Sequence, residues 1–163
     1  MGNLAQLACA MTEYERGCPE RIQHLMKVHG FARWIGEAEG LDGDTQLVLE
    51  AAALVHDIGI HPALEKYASA AGPLQEREGE APAREMLTRL GFSKDLIARV
   101  CFLVTHHHTY TDVDGLDYQI LLEADFLVNA FENKISPDAV LAAKEHFFRT
   151  RTGIKMLLDM FAL

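Results

Sequence analysis

The sequence is short of several things, and each shortage excludes something. Its three cysteines, Cys9, Cys18 and Cys101, show no CxxC spacing, which argues against a disulfide framework. Cys101 stands in the apolar stretch RVCFLV and reads as a small buried hydrophobe. That usage suits a reducing compartment, so a cytoplasmic location is expected. No stretch approaches the ~18 uninterrupted apolar residues of a membrane span. The start, MGNLAQLACAMTEYERG, lacks a basic n-region and carries acids early, which predicts no signal peptide. Gln6 stands where a myristoylation signal wants Ser or Thr. Positive charge is scarce: 15 Lys and Arg face 24 Asp and Glu, for a net charge of −9. Such a field repels nucleic-acid polymers. It does not bar a small phosphorylated substrate, because a local cation overrides it. Clean strand-like alternation is missing, as are internal repeats, low-complexity segments and linkers.

What is there is helical periodicity. The 163 residues are 49% apolar, enough for one domain, residues 1–163, with a core that needs no cross-links. The pattern predicts an all-α bundle of seven or eight helices. The first runs near Leu4 to Tyr14. The second starts at Cys18-Pro19, with Pro19 in the first turn it favours, and Gly40 ends it. Asp42 or Asp44 caps the third, which runs to Asp57 and stops at Gly59. A short helical turn follows in PALEKYA. Pro73 opens a helix through Leu90, and Ser93 caps SKDLIARVCFLVTHH. The polar loop TYTDVDG leads to DYQILLEADFLVNAFEN, then a helix from Pro137, then TGIKMLLDMFAL. The third helix, LVLEAAALV, is apolar on nearly all sides and belongs at the centre.

Several residues do not suit a plain apolar bundle. His24 shares a helical face with Val28, Phe31 and Ile35, either as a satisfied core histidine or as a ligand. His56 and Asp57 close the central helix. A histidine there suits the negative end of the helix dipole, but a carboxylate does not and needs a cation nearby. Asp125 has Leu121, Leu122 and Val128 as helical neighbours. On such a face an ionised carboxylate must be ion-paired or coordinated. Glu123 lies off that face and reads as solvated or as a capping group. His106, His107 and His108 end an apolar helix, with one or two of them expected to face a pocket. Imidazole and carboxylate without thiolate suit Mn, Fe, Co, Ni or Zn and disfavour a structural zinc site.

The order His, His-Asp, Asp resembles the HD superfamily of metal-dependent phosphohydrolases. RIQHLMKVHGFARWIGEAEGL is similar to that family's first motif, AAALVHDIGIH to its central motif and LLEADFLVN to its final aspartate motif. The resemblance covers about residues 21–133 and leaves 136–163 as a helical C-terminal extension. It implies an all-helical bundle with His24, His56, Asp57 and Asp125 as ligands of a divalent transition metal. Binuclear members carry an added His-Glu motif, where this chain has Gln75-Glu76, so one ion per chain is expected. Glu76 would then hydrogen-bond metal-bound water or substitute as a ligand. A Gly-Tyr-Pro signature is absent after the histidines, so the cyclic dinucleotide branch is not assigned.

The expected activity is hydrolysis of a phosphoric ester, with a nucleotide or another small phosphorylated molecule as substrate. A bound ion lowers the pKa of its water and clamps phosphoryl oxygens. Asp57 helps orient that water. His107 or His106 stabilises developing charge or protonates the leaving oxygen. Lys66 either reaches a substrate phosphate or is an ordinary surface lysine; Arg149 and Lys155 are weaker candidates. The rivals are a di-iron oxygenase, which needs a full second ligand set, and a non-catalytic ligand-binding domain. The short N-terminal helix and the tail IKMLLDMFAL need something to pack on, either their own bundle or a second copy in a homodimer.

Overall fold

The computed structural model describes residues 2–163. Nine helices and no strand occur among the described residues: α1 (Leu4–Tyr14), α2 (Pro19–Glu39), α3 (Gly43–Val55), α4 (Ile60–Tyr67), α5 (Gly72–Arg89), α6 (Lys94–Val104), α7 (Leu116–Glu132), α8 (Pro137–Phe147) and α9 (Arg151–Phe161). The all-α reading holds.

The helix ends follow local chemistry. Asp42, rather than Asp44, caps α3 by accepting from the backbone N–H of Asp44 and Thr45. Ser93 caps α6 and Ser136 caps α8, each accepting from an N–H three residues on. Gly40 ends α2 with φ 77°, a left-handed position that favours glycine. Three boundaries differ from expectation, one being α6, which ends at Val104 and leaves the histidine run in a turn. The central helix stops at Val55, so His56 is its last cap and Asp57 lies in a tight turn. The stretch expected as a helical turn is the body of α4, an eight-residue helix.

That turn is tight because of Gly59. Its φ of −72° is ordinary, so conformation is not the reason. A Cβ there would sit 2.8 Å from the Gly79 nitrogen and closer still to the Gln75 carbonyl oxygen. The α3–α4 turn therefore rests directly on the backbone of α5. A Cβ at Gly79 would in turn lie 2.6 Å from Val104 of α6. Three elements are thus pinned at one crossing.

The centre is α3. Residues 51–55 are essentially inaccessible to solvent, and α1, α2, α6 and α7 pack around them. The run Gly43–Tyr67 is apolar and long enough to cross a membrane by length and composition, but it is mostly buried in this core. The end segments pack on their own bundle. α1 lies against α3 and α5, and α9 lies against α2, α7 and α8.

Glu123 ties the tail down. It is fully buried and accepts from the Gln119 side chain, from the Arg149 and Thr150 backbone N–H groups, and from the Thr150 hydroxyl. The carboxylate thus sits at the N-terminus of α9, where the helix dipole favours it.

Candidate metal centre

Four elements bring their polar residues to one point. His24 comes from the second turn of α2, His56 and Asp57 from the end of α3, His107 from the turn after α6, and Asp125 from the middle of α7. The Nε2 of His24 lies 3.3 Å from that of His56. It is 3.4 Å from Asp57 Oδ2 and 3.2 Å from Asp125 Oδ1. His56 Nε2 is 3.4 Å from Asp125 Oδ1 and 3.7 Å from Asp57 Oδ1. His107 Nε2 stands 3.3 Å from Asp57 Oδ1.

The outer ring nitrogens explain this inward crowding. His24 Nδ1 is 2.9 Å from Glu132 Oε2. His56 Nδ1 is 3.0 Å from the Ala53 carbonyl, and His107 Nδ1 is 2.7 Å from the Val104 carbonyl. Each Nδ1–H therefore donates outward to an oxygen. In the neutral tautomer each Nε2 then turns a lone pair inward. Three lone pairs and two carboxylates meet with no proton between them unless positive charge is supplied. His107 Nε2 is fully buried without a hydrogen-bond partner. Such a donor set fits a divalent ion: with bonds of ~2.1 Å, tetrahedral donors stand ~3.4 Å apart.

The proton affinities show the same demand. Burial works against charge on His24, yet Asp125 and Asp57 outweigh it and push the imidazole up to about 9. His56 is also raised: burial opposes, and Asp57 and Asp125 prevail. Burial would lift the Asp57 carboxyl, but His56 and His107 hold it well below the usual range. Asp125 is held down by His24 and His56 in the same way. Without an ion, protons take its place.

The supporting contacts are specific. Asn129 donates to Asp125 Oδ1 at 2.8 Å. Lys27 pairs with Glu132 at 2.7 Å, so that carboxylate is held on both sides. Tyr118 reaches from α7 to the carbonyls of His106 and Thr109 at 2.8 and 2.6 Å, which anchors the histidine loop.

The other expected site residues are placed elsewhere. His106 turns away: its Nδ1 is 2.7 Å from the Phe102 carbonyl and its ring stacks on Phe102. Glu76 accepts from the His108 N–H and the Thr109 hydroxyl, so it clamps the loop rather than facing the centre. Lys66 is exposed and paired with Glu78. Arg149 caps the last carbonyls of α8, those of His146 and Phe148. Lys155 is paired with Asp159 on the surface. Asp57, His107 and His108 form a second group of donors, but His108 Nε2 is 3.0 Å from Gln75 Oε1. Burial and the neighbouring His107 push the His108 imidazole down to about 4.

A cleft of about 210 Å³ opens onto His24 and Asp57, lined also by Cys18, Glu20, Arg21 and Glu132. Arg21, Asn129 and Glu132 had drawn no role from the sequence. Asn129 and Glu132 fall four and seven positions after Asp125, on the same helical face, and that spacing was the available signal.

The comparisons with known proteins agree with this geometry. Residues 21–143 match the family described as HD domain. No curated protein matches the chain. Among solved structures, the crystal structure of a predicted HD superfamily hydrolase from an uncultured Thermotogales bacterium is similar. It shares 25% identity at a TM-score of 0.68, over 97% of this chain and 84% of that one. With a family match across most of its length and the His/Asp cluster in place, the chain belongs to the HD domain family.

Proposed function

We propose that the protein is a metal-dependent phosphohydrolase acting on a small phosphorylated molecule, with a nucleotide as the leading class. One observation carries the reading. Three inward imidazole nitrogens and two carboxylates converge, and two of these groups, His24 and Asp57, line a cleft that also presents an arginine. His24, His56, Asp57 and Asp125 would hold one divalent transition metal, Mn, Fe, Co, Ni or Zn. When bound, such an ion supplies an acidic water and draws charge from a phosphoryl oxygen.

The chain's own residues do the rest. Arg21 offers one nitrogen to Glu15 at 3.3 Å and has further N–H donors for phosphoryl oxygens. In a protein of net charge −9, that local cation is what an anionic substrate needs. Asp57 and His107 face each other across the centre, where Asp57 orients a water and His107 accepts its proton or steadies charge. His106 takes no part, because its ring is packed on Phe102. Gln75 stands where binuclear members carry a histidine ligand, which disfavours a second ion and with it the di-iron oxygenase. The three cysteines are free, in keeping with a cytoplasmic enzyme.

The test is elemental analysis of untagged protein beside Asp57→Ala, followed by a phosphate-release screen over nucleotides with Mn, Co or Ni. About one ion per chain, lost in the variant together with phosphate release, is the expected result. Two irons per chain would move the oxygenase ahead. No metal after reconstitution would overturn the enzyme reading.

A further inference from the structure

Beside the cleft lies a second polar cluster that the metal centre does not use. Glu15, the residue that ends α1, is fully buried. Its Oε2 lies 3.3 Å from Arg21 and 2.8 Å from His61 Nε2. Its other oxygen is buried with no hydrogen-bond partner, and His61 Nε2, though close to Oε2, is not aligned for a hydrogen bond. Burial pushes the Glu15 carboxyl up, and Arg21 and His61 pull against it. A buried, incompletely paired carboxylate is costly to the fold, and an apolar side chain would serve packing better. Such a breach of folding rules beside a cleft points to function.

The location is favourable. Arg21 lines the cleft with His24 and Asp57. His61 is four positions beyond Asp57, in the first turn of α4. Tyr14 binds the α1–α2 connection to this turn through the Ile58 carbonyl at 3.2 Å, and its ring meets that of His61 edge-on. The His61 ring turns Nε2 inward to Glu15, while 39% of the side chain stays exposed. Its Nδ1 has no hydrogen bond among the described residues.

The chemistry lacks a proton donor. His24, His56 and His107 give their Nδ1–H groups to fixed oxygens and turn Nε2 to the centre. His106 is packed on Phe102, and His108 is bonded to Gln75. Of the remaining histidines, His61 is the one whose carboxylate partner also holds the cleft residue Arg21, and part of its side chain is exposed.

We propose that His61, oriented by Glu15, is the general acid that protonates the leaving oxygen of the phosphoric ester. The proposal rests on the phosphohydrolase reading. Water oxygen forms the new bond to phosphorus as the bond to the leaving oxygen breaks. The electron pair of that bond stays on the leaving oxygen, and the proton on His61 Nδ1 passes to it. The attacking water gives its own proton to His107, which passes it to solvent, and His61 is reprotonated from solvent. The products are phosphate and an alcohol. The Glu15 carboxylate stands 2.8 Å behind the ring, as carboxylates do behind catalytic imidazoles.

The test compares two probes with the metal-loaded protein: para-nitrophenyl phosphate, whose leaving group needs no proton, and phenyl phosphate, whose leaving group does. For His61→Gln and His61→Ala, kcat on phenyl phosphate should fall about 100-fold or more. On para-nitrophenyl phosphate it should change only a few-fold, with metal content unchanged. Glu15→Gln should show the same selectivity, weaker in size. Equal loss on both probes, or none, overturns the proton-donor role and leaves the phosphohydrolase reading standing. A wild-type protein that releases phosphate from neither probe nor from any nucleotide overturns both.

Discussion

His24 is held at both ring nitrogens, by Glu132 outside and by the Asp57 and Asp125 carboxylates inside. The inner pair lifts its imidazole to about 9 in the metal-free fold, above the ordinary value of about 6.5. A raised histidine stabilises the fold while it is protonated. Its contribution is complete below pH ~6.5 and fades as pH rises through about 9, since the folded state then gives up its extra proton. His56 shifts in the same direction. Denaturant titrations of chelator-treated protein should therefore show stability falling from pH ~6.5 to ~9. Metal affinity should rise over the same interval, because an ion must displace that proton. A flat stability profile would mean that the two carboxylates do not share protons with His24.

At the scale of elements, the crossing of the α3–α4 turn over α5 sets the position of Asp57. Gly59→Ala places a methyl against the backbone of Gln75 and Gly79, atoms that cannot turn aside. A loss of about 1–3 kcal/mol is expected from such overpacking, read by thermal or chemical denaturation. Weakened metal retention should accompany it, because the turn carrying Asp57 must move. The helices themselves were legible because their signals are local: Pro19, Gly40, Asp42, Ser93 and Pro137 act on neighbours a few residues away. The stop of α3 at Val55 was not, because the residue of clearly poor helix propensity, Gly59, comes four positions later. The close approach of α5 and the convergence on the centre mark that point, and neither is written in the local sequence.

At the scale of the molecule, the centre is an assembly of distant segments, and this decided which residues could be read in advance. Asp125 was legible because a carboxylate among Leu121, Leu122 and Val128 is anomalous wherever it is placed. Which member of the histidine run faces inward was not, since that depends on Phe102 and Tyr118 holding the others. Glu76 stood at the expected motif position, yet its carboxylate is taken by the backbone of the histidine loop. Glu15 and His61 are separated widely in sequence, and only the packing of α1 and α4 brings them together.

The distance along the chain between the partners of the centre has a kinetic meaning. His24 and Glu132 are 108 positions apart yet lie 2.9 Å from each other. Closing a loop of that length belongs to the late part of folding, after most of the entropy has been surrendered. The ion can therefore find its full ligand set only once the bundle has closed, and it cannot template the search. Adding metal should leave the refolding rate unchanged and slow unfolding instead. Loaded protein would then gain its resilience as a longer lifetime of the native state, the form of durability that limits proteolysis when cleavage outpaces reclosing.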